Sequence, residues 1–129
     1  MCYIRNVTNY KITNNQIMNY IDYNTKIKNL MADLGKEIPG TMGSFSKLHE
    51  AATKDNALSS KTKELIALGI AITVRCNGCI AFHVNDALKA GAGREEILET
   101  IGVAVMMGGG PSVVYGSEAM EALNQYQDK

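Results

Sequence analysis

Apolar residues recur at spacings of three and four along most of this chain from residue 15 onward, and this periodicity restricts its fold more than any other feature. Such spacing places apolar side chains on one face of an α-helix, whereas a half-buried strand requires alternation with a period of two. No long stretch alternates in that way, and the 129 residues include only two prolines. The sequence therefore predicts an all-α protein.

The periodic segments divide into about six helices. The first is expected to end at Gly35, because glycine commonly stops a helix, and Pro39-Gly40 marks a turn before the second. Ser59 or Ser60 is a good N-cap for the third helix, whose apolar residues cover so much of its circumference that deep burial is expected. The predicted helices cover 15–34, a shorter segment ending near 54, 61–74, 76–89, a segment that opens at 94 and is broken by the glycines at 108–110, and 112–126.

Length and charge limit the classes of partner. The chain favours one domain over residues 1–129, short enough that self-association would cover further apolar surface. Thirteen basic and thirteen acidic residues give no net charge, so we expect neither nucleic acid nor a membrane as a partner. The longest apolar run, 65–74, is about half of the ~20 residues that cross a bilayer. The first residues lack the apolar core of a signal peptide, which predicts a cytoplasmic protein.

The cysteines point to chemistry rather than to a scaffold. Their number is odd, with Cys76 and Cys79 close together and Cys2 apart, a pattern typical of metal or redox sites inside cells. On a helix, Cys76, Cys79 and His83 share one stripe. The intervening Asn77-Gly78 suits only a first turn, where backbone amides and the helix dipole stabilise a thiolate.

The spacing also suggests which cysteine reacts. His83 lies one helical turn from Cys79 and two from Cys76, so Cys79 is the better nucleophile, His83 its base and Cys76 the resolving thiol. With a peroxide as substrate, Cys79 would form a sulfenic acid and condense with Cys76 to a disulfide. A dithiol must then reduce that disulfide.

Glu64 is a candidate outer member of this site. It precedes the ten-residue apolar run and shares a stripe with Leu68 and Ile72. In a continuous helix, Glu64 would lie about 18 Å from Cys76, too far for proton transfer. A bend near residues 73–75 is therefore required, after which Glu64 is expected to hydrogen-bond His83, directly or through water, and to relay protons.

Other interpretations of the same residues remain open. The CxxC pair is also compatible with inert buried thiols, or with a zinc site made by Cys76, Cys79, His83 and Glu64, although three ligands on one helical stripe form an awkward tetrahedron. We expect no metal and no other cofactor. His49 stands in a polar context that suggests an exposed residue without a role, and Cys2 is expected to be a bystander.

The four site residues resemble a known family. Glu64, eleven residues, Cys76-x-x-Cys79, three residues and His83 resemble the E-x11-C-x-x-C-x3-H motif of the AhpD-like alkylhydroperoxidases, in the carboxymuconolactone decarboxylase superfamily. ALSSKTKELIALGIAI before the motif and HVNDALKAGAGREEILETIGVA after it are also similar to that family. The resemblance is strongest over about residues 57–107.

The resemblance implies an all-helical domain that assembles into trimers or hexamers. It implies a peroxidase that cycles through a disulfide and takes electrons from a dithiol partner, with Cys79 peroxidatic, Cys76 resolving, and Glu64 and His83 relaying protons. One position departs from the family, since Gly78 stands where well-known members carry a second histidine. A shorter relay or a slower peroxidase is therefore expected.

Two further functions remain possible within this resemblance. The dithiol could reduce protein or small-molecule disulfides and meet peroxide only incidentally. The decarboxylase branch of the superfamily acts on a lactone without this cysteine pair, so the presence of Cys76 and Cys79 tells against that activity.

Overall fold

Six α-helices make up the fold of residues 17–128, which a computed structural model describes. Those residues contain no strand, so the predicted all-α class is confirmed. No helix among them is both long and apolar enough to span a bilayer. The helices are α1 Tyr20–Glu37, α2 Pro39–Thr53, α3 Ser60–Thr73, α4 Asn77–Lys89, α5 Arg94–Gly108 and α6 Gly110–Gln127.

Side-chain caps explain where several of these helices begin. The Asn19 side chain accepts a hydrogen bond from the Asp22 N–H at the start of α1, and the Ser59 hydroxyl accepts one from the Thr62 N–H at the start of α3. Each bond satisfies an amide that has no partner inside its helix. At the start of α5 the Glu96 carboxylate accepts from the Gly93 N–H at 3.1 Å. That bond, and then the Lys61 ammonium, lower the pKa of Glu96.

Three predicted helix ends were wrong. Helix α1 was expected to start at Asn15, but it starts at Tyr20; residues 15 and 16 themselves lie outside the described range. The helix was also expected to stop at Gly35, but it continues to Glu37. It ends because Ile38 precedes a proline, which disfavours helical backbone, and Pro39 opens α2 directly. Likewise α6 begins at Gly110 rather than Ser112, since Gly109 alone makes the turn with φ +67°.

The core lies where α3, α4, α5 and α6 pack together. Its largest fully buried apolar side chains contribute about 1.5–3 kcal/mol each by leaving water. Between α5 and α6 the backbones approach closely at Gly116, where an added Cβ would lie 2.8 Å from Ile101 Cγ2. The largest fully buried apolar side chains of the core are Leu68, Ile72, Ile80, Val84, Ile97 and Leu123.

The outer helices are attached differently. Tyr20 of α1 is buried, and its N–H donates to Gln125 Oε1 of α6 at 2.7 Å. Burial is the main cause that raises the pKa of Tyr20 to about 12. Asn24 Nδ2 donates to the Tyr126 hydroxyl, a second tie between α1 and α6. Helix α2 packs on α1 and α3 without burying any residue.

The expected deep burial of α3 holds for only one side of the helix. Leu68, Ala71 and Ile72 are buried, but Ile66 and Ile70 are about half exposed. These exposed residues border an apolar groove of about 500 Å³ between α3 and α5. The periodicity identified both apolar faces of α3 correctly. It could not show that the rest of the chain packs against only one of these faces and leaves the other exposed.

Candidate active site

A tight turn between α3 and α4 brings the motif residues together. Arg75 adopts φ +61°, in the left-handed region that non-glycine residues rarely occupy. The Cys76 N–H donates to the Ala71 carbonyl at 3.1 Å, which closes the turn. The chain therefore reverses at residues 74–76, as the sequence required for Glu64 to approach His83.

The two cysteines stand at the N-terminus of α4. Cys76 is the N-cap, and its sulfur accepts a hydrogen bond from the Cys79 N–H at 3.2 Å. Cys76 and Cys79 are joined in a disulfide, with their Cα atoms 5.2 Å apart. The structure therefore shows the oxidised form of the pair, at the helix end that stabilises a thiolate once the bond is reduced.

His83 and Glu64 form a hydrogen bond across α3 and α4. The distance between His83 Nδ1 and Glu64 Oε2 is 2.7 Å. The Glu64 side chain is only 5 % exposed and that of His83 20 % exposed, so little water competes for the bond. When the Glu64 carboxylate is ionised it can only accept, so that Nδ1–H donates and Nε2 is left as the proton acceptor of the ring.

An apolar cleft of about 730 Å³ opens beside the disulfide, between α1, α2 and α4. Lys28 adds a positive charge, with its ammonium 5.6 Å from the centre of the Phe82 ring. Cys76, Cys79 and His83 all line this cleft, so an apolar substrate that enters it meets both sulfurs and the imidazole. The apolar lining comes from Tyr23, Ile27, Met31, Met42, Phe45 and Phe82.

The sequence interpretation missed the position of His49. His49 is exposed, as predicted, but α2 places it on the wall of the cleft. One ring nitrogen of His49 and one carboxylate oxygen each from Glu64 and Asp86 lie within 4.8 Å of one another. A single water molecule or cation would fit among these atoms. A weak indication of this position in the sequence was the apolar Phe45, which lies one turn before His49 on the same face of the helix.

The zinc site considered from the sequence needs two thiolates. In the oxidised form these sulfurs are bonded to each other, so Cys76 and Cys79 cannot serve as thiolate ligands. Cys2 lies outside the described residues.

Comparison with known proteins places the chain in a family. The sequence profile of the carboxymuconolactone decarboxylase family matches residues 39–122, a longer segment than the resemblance suggested. An uncharacterised protein of Cupriavidus necator is 38 % identical over 103 residues, which cover 78 % of this chain and 91 % of that protein. An uncharacterised protein of the cox locus of Paracoccus denitrificans is 36 % identical over 81 residues, covering 63 % and 73 %.

Solved structures agree with this assignment. The apo form of a carboxymuconolactone decarboxylase family protein from Legionella pneumophila is 48 % identical, with a TM-score of 0.80 over 83 % of this chain and 96 % of that one. A Thermotoga maritima member, described as having a suggested part in an antioxidative response, is 26 % identical, with a TM-score of 0.71 over 80 % and 91 %. This chain belongs to the carboxymuconolactone decarboxylase family, and its motif is that of the AhpD-like members.

Proposed function

We propose that this protein is a thiol-dependent peroxidase that reduces organic hydroperoxides and ends each turnover with a Cys76–Cys79 disulfide. One observation carries the proposal: the disulfide lies in an apolar cleft that also contains His83, whose ring is hydrogen-bonded to the buried Glu64. The pair of sulfurs provides two electrons, and the imidazole provides a proton donor and acceptor. The role suggested for the Thermotoga maritima relative is consistent with this chemistry.

Cys79 begins the reaction as a thiolate, after its proton has passed to His83 Nε2 and formed an imidazolium. Its sulfur attacks the terminal oxygen of the hydroperoxide, the S–O bond forms, and the O–O bond breaks. The departing alkoxide takes a proton from His83 Nε2 and leaves as an alcohol. Glu64 accepts from Nδ1–H and stabilises the imidazolium that supplies this proton. Cys79 is then a sulfenic acid.

Cys76 completes the oxidation. Its sulfur attacks that of Cys79, the S–S bond forms, and the S–O bond breaks with loss of water. The two Cα atoms, 5.2 Å apart, lie within the usual range for a disulfide. A dithiol reductant, either a protein or a small molecule, then returns two electrons by thiol–disulfide exchange. The expected cytoplasmic setting maintains such dithiols.

A second candidate function is dithiol–disulfide reduction without physiological peroxidase activity. Cys76 and Cys79 both line the open cleft, which makes the pair accessible to a disulfide substrate. The two candidates share the same disulfide and differ in the oxidant that forms it. Measured rates with the two oxidants therefore separate them.

The first test is a count of thiols after a single turnover. Fully reduced, metal-free protein is mixed with one equivalent of cumene hydroperoxide, quenched within seconds, unfolded and titrated for free thiols. We expect the loss of two of the three thiols, with mass spectrometry joining Cys76 to Cys79. A parallel sample receives one equivalent of a small aromatic disulfide instead. Survival of all three thiols for minutes with the peroxide, but not with the disulfide, would make the reductase the better account.

We also propose that the chain is a homotrimer or homohexamer. The exposed apolar residues along the groove between α3 and α5 support self-association, because a contiguous apolar face is unusual on a monomer. Light scattering after gel filtration should give three or six times the mass of one chain. Ile70→Glu should lower this mass, while Lys36→Glu on α1 should leave it unchanged; a wild-type monomer would refute the proposal. The face includes Ile66, Ile70, Val103 and Met107.

A further inference from the structure

His49, which the proposed reaction does not use, lies beside the buried end of the relay. One ring nitrogen of His49 lies within 4.8 Å of an oxygen of Glu64 and of an oxygen of Asp86, but within residues 17–128 His49 forms no direct hydrogen bond or ion pair with either carboxylate. Two hydrogen bonds of about 2.8 Å that meet at the angle of a water molecule span roughly this separation. One water can therefore connect all three side chains.

The three side chains come from different helices and differ in exposure. Glu64 of α3 is buried, Asp86 of α4 is partly buried, and His49 of α2 is exposed. They form a graded path from the interior of the protein to solvent. Glu64 already uses Oε2 to accept from His83, and within residues 17–128 no other hydrogen bond to its carboxylate is found.

We propose that His49 connects the Glu64–His83 pair with solvent through a bridging water and Asp86. The inference rests on the proposed peroxidase function. Conversion of the Cys79 thiolate and Cys76 thiol to a disulfide by a hydroperoxide yields an alcohol and water, and consumes one proton. Reduction of that disulfide by a dithiol, back to a thiolate and a thiol, releases one proton. His83 supplies this proton in the first half-reaction and recovers it in the second, and His49 passes protons between solvent and the Glu64–His83 pair, since an imidazole can both accept and donate a proton.

Substitution of His49 separates this role from a contact with substrate. His49→Ala should lower kcat about tenfold or more at an unchanged KM for cumene hydroperoxide, because proton transfer is slowed and binding is not. Added imidazole should restore much of the lost rate, since the position is open to solvent. His49→Gln, which keeps hydrogen bonding but carries no proton, should be as slow as His49→Ala. Lys47→Ala, which removes an exposed cation from the same helix, is the matched control.

Several outcomes would overturn the proposal. An unchanged kcat in His49→Ala, full activity in His49→Gln, or a raised KM at constant kcat would each exclude a proton-carrying role. The alternative role for His49, Glu64 and Asp86 is to bind a metal ion. This is tested by treating the protein with a chelator and then adding Zn²⁺. If Zn²⁺ raises kcat of the wild-type protein but not of His49→Ala, the three side chains bind a metal ion and the proposal fails.

Failure of the peroxidase function would be recognised separately. In that case neither the reduced wild-type protein nor any His49 variant would react with cumene hydroperoxide. The His49 variants would then be compared in reduction of the Cys76–Cys79 disulfide by dithiothreitol, a step that also moves protons through the site. A wild-type rate in His49→Ala there would reject the role of His49 in its own right.

Discussion

Two walls of the same cleft are held in very different ways. One wall includes Cys76, Cys79 and His83 at the start of α4 and within it, and His83 is hydrogen-bonded to Glu64 of α3. Both helices pack into the core, where Leu68, Ile72, Ile80 and Val84 are fully buried. Helix α2 provides Met42, Phe45 and His49 to the opposite wall and buries no residue. The proposed reacting sulfurs and imidazole therefore stand on helices that are packed into the core, whereas α2 can change with little effect on the core.

This difference predicts where substitutions act. Changes on the α3–α4 wall should alter the rate of the chemical steps, because in the proposed mechanism those side chains hold the reacting atoms or the groups bonded to them. Changes on α2 should alter access, proton exchange or local stability, because α2 lines the cleft and buries no residue.

The largest effect is expected from the cysteines. Cys79→Ser should abolish hydroperoxide reduction, a loss of about a thousandfold or more, because the attacking thiolate is missing. Cys76→Ser should still react once, since Cys79 remains, and should stop at a sulfenic acid that a sulfenic-acid-specific probe labels. Stopped-flow kinetics with mass spectrometry measures both. Labelling of Cys79→Ser at Cys76 instead would reverse the assigned roles.

The next effect concerns the buried carboxylate. Glu64→Gln preserves shape and one hydrogen-bond acceptor for His83 Nδ1 but removes the charge that stabilises the imidazolium. We expect kcat to fall about 10- to 100-fold, below the full effect of direct acid–base catalysis because Glu64 acts through His83. Glu96→Gln is the matched control, since it also loses an ion pair, with Lys61 at 3.0 Å, and neither Glu96 nor Lys61 lines the cleft. Equal activity of the two variants would remove Glu64 from the relay.

The same difference between the walls explains what the sequence could predict. The N-cap of α3 at Ser59, one of the two serines predicted for it, the placement of the cysteines at the start of α4 and the Glu64–His83 contact depend on interactions within a few residues or on one reversal of the chain. Capping, helical spacing and the glycine in Asn77-Gly78 encode all of these locally. The all-α class followed from the same periodicity.

The opposite wall could not be predicted because it depends on contacts between segments far apart in sequence. His49 reads as a polar, exposed residue, and only the path of α2 across α1 places it near Glu64 and Asp86. The exposed side of α3 shows the same limit, since an apolar face does not indicate whether its own chain covers it. The end of α1 was missed for a different reason: Gly35 was expected to stop the helix, whereas the local pair Ile38-Pro39 ends it.

The smallest effects compare two glycines in the interiors of helices. At Gly43 of α2, an added Cβ meets nothing within 4 Å, whereas at Gly116 of α6 it would lie 2.8 Å from Ile101 Cγ2. Gly43→Ala should raise the free energy of unfolding by about 0.5–1 kcal/mol through helix propensity alone. Gly116→Ala gains the same propensity but overpacks a branched side chain at a cost of about 1–3 kcal/mol, for an expected net loss of about 1 kcal/mol.

Urea denaturation of both glycine variants measures the difference directly, and amide hydrogen exchange locates it. If α2 opens independently of the core, Gly43→Ala should slow exchange within residues 39–53 and leave the global midpoint unchanged, because the substitution stabilises only the segment that opens first. If α2 unfolds together with the core, the midpoint itself should rise. A destabilised Gly43→Ala would contradict both, since it would require a close neighbour at a position where the fold of residues 17–128 leaves open space.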